Sequence, residues 1–420
     1  MRIQTSSDQG IGTILVRGND LTMNDNSFLF SDIRVRGQSS EARVGIDIDL
    51  SGRLRLSDGA RITSEVDFLG KGSAGDIVIK ADQIEVSGVG TDGSESLIGS
   101  RLFPGSSAAG ADIDITANKL SVTGGAGIST ETNASGAAGA IRITANTIDL
   151  SSGGKITSAT SGTGLGGTIT LQANNLSLAD GAAISAAAIV PDPESILRTG
   201  NAGDITIHVR DSLRIANSSI MTTAENADGG NIHLTVGRLV DLFNGQITAT
   251  VKSGFGDGGN ITIDPTFVTL NHSHITANAF GGRGGNVTIV SDVFLKSTDS
   301  SVTASSALST PGTVDIQAPI TDLSGALAPL PENVLQATAL LRQSCAARFA
   351  GGKLSSLVVG TRDGLPLEPG AFMPSPLYRF DSSPNPSAVL ERKSDRAQRR
   401  APGWLALAKP SLLVTSPCSR

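Results

Sequence analysis

The chain is poor in aromatic residues, and this absence limits the kind of core that it can build. Its 420 residues include 12 Phe, one Tyr and one Trp, although 39% of the residues are hydrophobic. The apolar content is therefore mostly Ile, Leu, Val and Ala. A core can be filled by such side chains without large rings if equivalent residues pile up along one axis, as they do in stacked repeats.

Cysteine, excess basic charge and long apolar runs are also scarce. Cys345 and Cys418 form neither a metal-binding pattern nor a disulfide framework, and their spacing leaves open whether they pair. A net charge of −6 argues against a nucleic-acid-binding protein, which would carry a basic face. No run of 18 apolar residues exists, and the first residues lack the apolar stretch of a signal peptide. We therefore expect no nucleic-acid partner and no membrane-spanning segment.

Glycine is abundant, with 50 residues, and it marks an internal repeat. A short phrase recurs in which Gly or Ala and a small or polar residue precede two β-branched or Leu residues separated by one position. Successive copies begin 26 to 36 residues apart. The eleven copies are Gly12–Val16, Gly45–Ile48, Gly75–Ile79, Ala111–Ile115, Gly139–Ile143, Gly167–Leu171, Gly203–Ile207, Gly230–Leu234, Gly259–Ile263, Gly285–Ile289 and Gly312–Ile316.

Each repeat contains two further segments in which apolar and polar residues alternate. One includes Leu120–Val122 and Ile148–Leu150, and the other includes Ile128–Ser129 and Ile156–Thr157. Alternation with a period of two predicts half-buried strands, and Gly, Asn, Asp and Ser between them supply turns with positive φ. Three short strands per repeat match one coil of a parallel β-helix better than a four-stranded propeller blade. The sequence therefore predicts an all-β solenoid of about 10 to 11 coils.

The facing of individual residues follows from the alternation. We expect one inward column formed by Ile77, Ile113, Ile141, Ile169, Ile205, Ile232, Ile261, Val287 and Val314. The residue after the phrase glycine is Asn in three consecutive coils, at Asn231, Asn260 and Asn286. Stacked amides at these positions are predicted to hydrogen-bond to one another and to the backbone of the turn.

The repeat bounds the domain organisation. The predicted β-helix covers residues 1–325, and its two longest spacings place insertions near residues 91–107 and 189–201, both bulging from turns. Residues 326–365 are predicted to form a helical cap, since an apolar stripe follows Pro331 and ends at Gly351-Gly352. Residues 366–420 are rich in Pro and then basic, which is typical of a disordered tail.

These coils resemble the repeats of filamentous haemagglutinin-like exoproteins. The segments 322–333, 345–349 and 355–366 are similar to the C-terminal boundary of large members of that family. The resemblance implies a right-handed parallel β-helix, export through an outer-membrane transporter of the two-partner secretion type, and an extracellular or cell-surface location. Members begin with a signal peptide and a secretion domain, whereas this chain starts within a coil. We therefore expect the C-terminal portion of a longer protein, or a truncated reading frame.

Several outward residues are candidates for a functional site. The third strand presents a hydroxyl column that is suited to glycan binding, although Thr is also a good strand former on any solvent face. His272 and His274 have a spacing that can ligate a metal on one strand side, but no third ligand is placed beside them. The members of the hydroxyl column are Thr63, Ser129, Thr157, Ser185, Thr248, Thr276 and Thr303.

Two functions remain open from the sequence. One is a non-catalytic adhesin or filament module that displays a rod, with a cell-surface glycan or protein as its receptor and with no cofactor or metal. The alternative is a carbohydrate-active β-helix enzyme of the polysaccharide lyase or hydrolase type, which needs clustered acidic and basic groups in one outer groove. The outward carboxylates of Glu85, Asp114, Asp149 and Asp241 form no tight acid pair, which favours the adhesin.

Overall fold

The structure is a computed structural model that describes residues 2–7, 12–33, 44–68, 70–71, 73–190 and 199–321. The chain separates into two units, Met1–Leu327 and Ala328–Arg420. The described residues all belong to the first unit. The predicted cap at 326–365, the predicted tail at 366–420 and both cysteines lie outside the described residues, as does most of the predicted insertion at 189–201.

The described part is all-β, and its strands form two sheets. The sheet that we call the narrow sheet has eleven strands. These are β1 (Arg2–Ser7), β4 (Phe28–Ile33), β7 (Arg61–Val66), β9 (Leu97–Leu102), β11 (Gly127–Thr132), β13 (Lys155–Thr160), β15 (Ala183–Ala188), β17 (Ser219–Glu225), β20 (Gln246–Ser253), β23 (His274–Thr276) and β26 (Ser301–Thr303).

The second sheet, which we call the wide sheet, has sixteen strands. These are β2 (Ile14–Gly18), β3 (Leu21–Met23), β5 (Val44–Leu50), β6 (Arg53–Ser57), β8 (Asp76–Ser87), β10 (Ile113–Thr123), β12 (Ile141–Ser151), β14 (Ile169–Ala179), β16 (Ile205–Ala216), β18 (Ile232–Val236), β19 (Leu239–Phe243), β21 (Ile261–Asp264), β22 (Phe267–Asn271), β24 (Val287–Val290), β25 (Val293–Lys296) and β27 (Val314–Gln317).

Strands of successive coils pair in parallel and in register. Ile141 pairs with Ile113 on one side and with Ile169 on the other, one coil away in each direction. About ten turns stack in this way, and no helix occurs among the described residues. The predicted parallel β-solenoid is therefore confirmed.

The two segments that the sequence separates as first and second strands share the wide sheet. In β8, β10, β12, β14 and β16 they run together as one strand of 11 or 12 residues, whereas other coils divide them into two strands. In β10 the buried residues change from Ile113 and Ile115 to Leu120 and Val122, so the alternation shifts by one residue near Ala117. In the sequence, this shift looks like a boundary between two strands. In the structure, the main chain of β10 pairs with β8 and β12 before and after it.

The predicted inward column is confirmed except at its end. Residues 77, 113, 141, 169, 205, 232, 261 and 287 are all 0% exposed and belong to one continuous hydrophobic core. Val314 is 43% exposed. It lies in β27, the last described strand, and among the described residues this strand pairs with β24 alone. A strand at the end of the described coils has fewer neighbours among them than a strand within the stack.

The glycine that opens the repeated phrase is required for close packing. A Cβ at Gly203 would lie 1.9 Å from the carbonyl oxygen of Gly167 in the preceding coil. The same collision, at 1.9 Å, recurs at Gly230 in the next coil. Positive φ is instead found in the turns that lead into the narrow sheet, at Gly153 and Gly181. The positive φ predicted for the turns between strands is therefore found at these two positions.

The predicted asparagine ladder is confirmed. The Asn260 amide nitrogen Nδ2 donates to Asn231 Oδ1 at 3.0 Å, and the backbone N–H of Asn260 donates to the same oxygen at 2.9 Å. The backbone N–H of Asn286 donates to Asn260 Oδ1 at 2.9 Å. Asp204 extends the ladder by accepting from the backbone N–H of Asn231 at 2.7 Å. Each oxygen therefore satisfies a main-chain donor of the next coil.

The insertion placed at 91–107 differs from the structure. Residues Leu97–Leu102 within it form β9, a regular strand that pairs with β7 and β11. The bulging part is a turn in which Val89 bridges Glu95 in antiparallel orientation. Gly99 occupies the position that Thr63 and Ser129 hold in the neighbouring strands, so the sequence of β9 lacks the hydroxyl residue of the repeat.

Candidate functional site

The narrow sheet brings the predicted hydroxyl column together on its outer face. The register places Thr157 beside Ser129 and Ser185, and Thr276 beside Thr248 and Thr303. Two residues that the sequence pattern did not include interrupt the column. In chain order, the column reads Thr63, Gly99, Ser129, Thr157, Ser185, Met221, Thr248, Thr276 and Thr303.

The N-terminal half of this face carries a charged cluster, which we define as Arg61, Glu65, Arg101 and Glu131. Arg101 donates from Nε and Nη2 to Glu131 Oε2 at 3.2 and 2.9 Å. Glu65 precedes Arg101 in the same outward column. These side chains flank a small depression at Gly99. Thr63 and Ser129, on either side of Gly99, are buried for this reason.

The two carboxylates of the charged cluster differ in their surroundings. Burial raises the pKa of Glu65, and the nearby guanidinium groups of Arg101 and Arg61 oppose this rise. Glu131 accepts hydrogen bonds from Arg101 and, at 3.2 Å, from Ser129 Oγ. Arg101 stands between the two acids along the column and binds one of them, so the space between the acids is filled.

Sequence reasoning missed the charged cluster because it placed Arg101 in an insertion. A signal was present in Ile98, which aligns with Ile62 and Ile128 in the inward column of the third segment. That alignment puts Arg101 between Glu65 and Glu131. Ile98 lies 36 residues after Ile62 and 30 residues before Ile128. Because these two spacings differ, the repeat pattern alone did not reveal the alignment.

In the C-terminal half of the same face, two outward columns begin at Ala183 and Ser185, and neither contains Asp, Glu, Lys or Arg. Strands β15, β17, β20, β23 and β26 present short hydroxyl, amide and alanine side chains there, with one methionine and one histidine. We call this surface the hydroxyl face. Its residues are Ala183, Ser185, Ser219, Met221, Gln246, Thr248, His274, Thr276, Ser301 and Thr303.

The two candidate metal-ligating histidines do not share a strand. His272 lies in a turn with φ of +51°, and His274 begins β23. His272 Nε2 is 3.0 Å from Asp299 Oδ2, whereas His274 Nδ1 is 2.8 Å from Ser301 Oγ. The described residues contain no group of three or more His, Cys, Asp or Glu side chains arranged to hold a metal ion.

Each of the four carboxylates considered for catalysis has a partner, and Arg142, the partner of Asp114, also lies 2.8 Å from Asp112. Asp114 lies 3.4 Å from Arg142, Glu85 lies 3.7 Å from Arg55 and Asp149 lies 3.5 Å from Lys119. Asp241 accepts from Thr269 Oγ1 at 2.6 Å. These contacts are cross-strand pairs between neighbouring coils, and they do not bring the four acids into one site.

Comparison of the chain with protein-family models, curated proteins and solved structures gives no match. Within the described residues, no helix has the length and apolar character needed to span a membrane. The geometry of the solenoid therefore carries the functional argument.

Proposed function

We propose that this protein is a non-catalytic module of an exported adhesin or surface filament, and that its rod displays the hydroxyl face for binding. The observation that carries the proposal is the composition of this face. Mostly short, uncharged side chains cover it over five consecutive strands of the narrow sheet. Side chains in register on neighbouring strands lie about 4.8 Å apart. A flat array of this kind offers repeated hydrogen-bonding groups at a small cost in side-chain entropy.

Export and partners follow from the same proposal. The resemblance of the coils and of the C-terminal segments to filamentous haemagglutinin-like exoproteins supports passage through an outer-membrane transporter of the two-partner secretion type. It also supports an extracellular or cell-surface location. The receptor class that fits the hydroxyl face is a cell-surface glycan or a protein with a flat polar surface.

The test compares two matched pairs of threonines on the outer faces of the two different sheets. Thr248 and Thr276 are neighbours on the hydroxyl face, and Thr262 and Thr288 are neighbours on the wide sheet. All four side chains are half-buried and point outward. The double variant T248E/T276E should reduce binding of the full chain to intact cells and to an array of surface glycans by more than about tenfold, as expected for the centre of an interface.

The control variant T262E/T288E should bind as the wild type does. Equal loss in both variants, or no loss in T248E/T276E, would overturn the assignment of the hydroxyl face. Both variants should retain the β-sheet circular dichroism spectrum of the wild type, because all four substitutions are on solvent faces.

The charged cluster favours the carbohydrate-active enzyme as a second candidate. The pKa of Glu65 is shifted in the direction that a general acid requires, and Glu131 is the second carboxyl group of the pair. Glu65 and Glu131 lie in the same outward column two strands apart, or about 9.6 Å between their Cα atoms. The Arg101 side chain, however, occupies the space that the glycosidic bond and the water would need.

Polysaccharide turnover distinguishes the two candidates. The adhesin proposal expects no release of reducing sugars from pectin, alginate or β-glucan. Turnover that is lost in E65Q and E131Q, but kept in T248E/T276E, would replace it with the enzyme. Turnover lost on changing Asp114 or Asp149 would also establish an enzyme, with its site on the wide sheet.

A further inference from the structure

A groove runs along the wide sheet where the alternation shifts by one residue near Ala117, a place that we call the bend, and it does not include the hydroxyl face. Three hollows of about 570, 540 and 800 Å³ lie in succession on this bend. The first and second share Ala117, and the second and third share Thr235 and Gly237. The hollows are therefore sections of one groove, which extends from Asp49–Ser51 to Gln317–Pro319.

Each coil contributes one tripeptide to the groove. In the middle of the groove, the register places the first residues of successive tripeptides side by side, one per coil. The coil spacing of about 4.8 Å is close to the length of one pyranose unit in an extended chain. The five middle tripeptides are Thr116–Asn118, Thr144–Asn146, Gln172–Asn174, His208–Arg210 and Thr235–Gly237.

The walls of the middle section consist of hydroxyl and amide groups. One wall carries Thr116, Thr144 and Gln172, which are all exposed. On the other wall, Asn146 Nδ2 donates to Asn118 Oδ1, and Asn174 Nδ2 donates to Asn146 Oδ1 at 3.1 Å. Because an amide nitrogen has two N–H groups, Asn146 and Asn174 each keep a second donor for a ligand.

The floor of the groove excludes recognition through the main chain. Ala145, Ala173 and Val209 turn their side chains into the hydrophobic core, so the groove rests on backbone at the bend. That backbone pairs with one neighbouring coil at Ala145 and at Ala173, and with the coils on both sides at Val209. An extended peptide that adds to a sheet needs a free strand edge, which a sheet face does not offer. A ligand must therefore bind through side-chain hydrogen bonds.

The charges along the groove select against a polyanion. The middle section has Arg210 as its one Asp, Glu, Lys or Arg side chain. The first hollow contains Asp49 and Asp82 together with Lys80, and the third contains Asp264 and Asp292 with no Lys or Arg. A negatively charged polymer that followed the groove would meet these carboxylates at both ends.

We propose that the groove binds a linear, neutral polysaccharide along the axis of the rod, one sugar unit to a coil. Sugar hydroxyls both donate and accept hydrogen bonds, as the Thr, Asn and Gln walls require. The middle section has no Phe, Tyr or Trp side chain on which a sugar could stack, so each unit binds weakly and affinity grows with the number of units. This site is independent of the hydroxyl face.

The experiment is calorimetric titration of the full chain with neutral β-1,4-linked oligosaccharides, namely cello- and manno-oligosaccharides of three and six units. Affinity for the hexamer should exceed that for the trimer by more than about tenfold, because the hexamer engages more coils. The double variant N146A/N174A and the single variant Q172A, on opposite walls, should each weaken hexamer binding severalfold. Thr157, in the narrow sheet of the same coil as Thr144, gives the control variant T157A, which should bind as the wild type does.

Four results would overturn the groove assignment. The first is that no oligosaccharide binds, and the second is that trimer and hexamer bind with equal affinity. The third is that T157A weakens hexamer binding as much as the groove variants do. The fourth is that polygalacturonate or an extended peptide binds more tightly than the neutral hexamer. Q172A leaves the contacts among the asparagines intact, so this variant should unfold as the wild type does. Its unfolding curve therefore shows whether a loss of hexamer binding comes from a folding defect. Hexamer binding that persists in T248E/T276E would separate this site from the hydroxyl face, whether or not that face binds a receptor.

Discussion

The replacement of Gly203 by alanine tests how closely the coils stack. Its Cβ would lie 1.9 Å from the carbonyl oxygen of Gly167, and real Cβ atoms essentially never approach another atom more closely than 3.0 Å. The backbone must then move by about 1 Å, which lengthens nearby hydrogen bonds such as Ile169 N–H to Asp204 O, now 2.9 Å, beyond a useful distance. Overpacking costs about 1–3 kcal/mol and each lost bond about 1 kcal/mol.

We therefore expect G203A to lower the free energy of unfolding by about 2–4 kcal/mol. Gly127 provides the control, because its Cβ would meet nothing closer than 3.5 Å, and the same column holds Lys155 and Ala183 in the next two coils. Urea unfolding followed by circular dichroism measures both variants, and hydrogen exchange at Ile169 and Ile205 locates the damage. A G203A midpoint equal to that of G127A would refute the close stacking of these coils.

Two further substitutions test the facing of the strands and the charged cluster. I169D should be severe, by more than about 5 kcal/mol, because it places an unpaired charge in a dry core, whereas T170D should be mild on the solvent side; equal unfolding midpoints would contradict the assigned facing. The raised pKa of Glu65 means that the folded state binds its proton more tightly, so wild-type stability falls as pH rises from 4.5 through that pKa. At neutral pH, E65Q should therefore have a larger free energy of unfolding than the wild type, and this difference should disappear below pH 4.5. A difference in free energy of unfolding that stays the same at all pH values would contradict the prediction.

The local pattern of the sequence was sufficient to predict the solenoid. Period-two alternation identifies the inward faces, and the recurrence of the phrase every 26 to 36 residues identifies the coil, as the buried column from Ile77 to Val287 shows. The asparagine ladder was predictable for the same reason, since equivalent positions in consecutive copies must meet when parallel strands stack in register. These features depend only on residues that are close in sequence or equivalent in the repeat.

Features that depend on departures from the repeat needed the tertiary structure. Strand β9 lies in a repeat of 36 residues, a length that predicts an insertion, and Gly99 interrupts the hydroxyl column there, so the charged cluster could not be assembled from spacing. The groove likewise arises at the bend near Ala117, where the alternation shifts by one residue while the backbone stays paired. The hydrophobic pattern states which side of a strand faces the core. Register and the bend of the wide sheet decide which outward groups lie beside one another. The sequence of a single repeat determines neither of them.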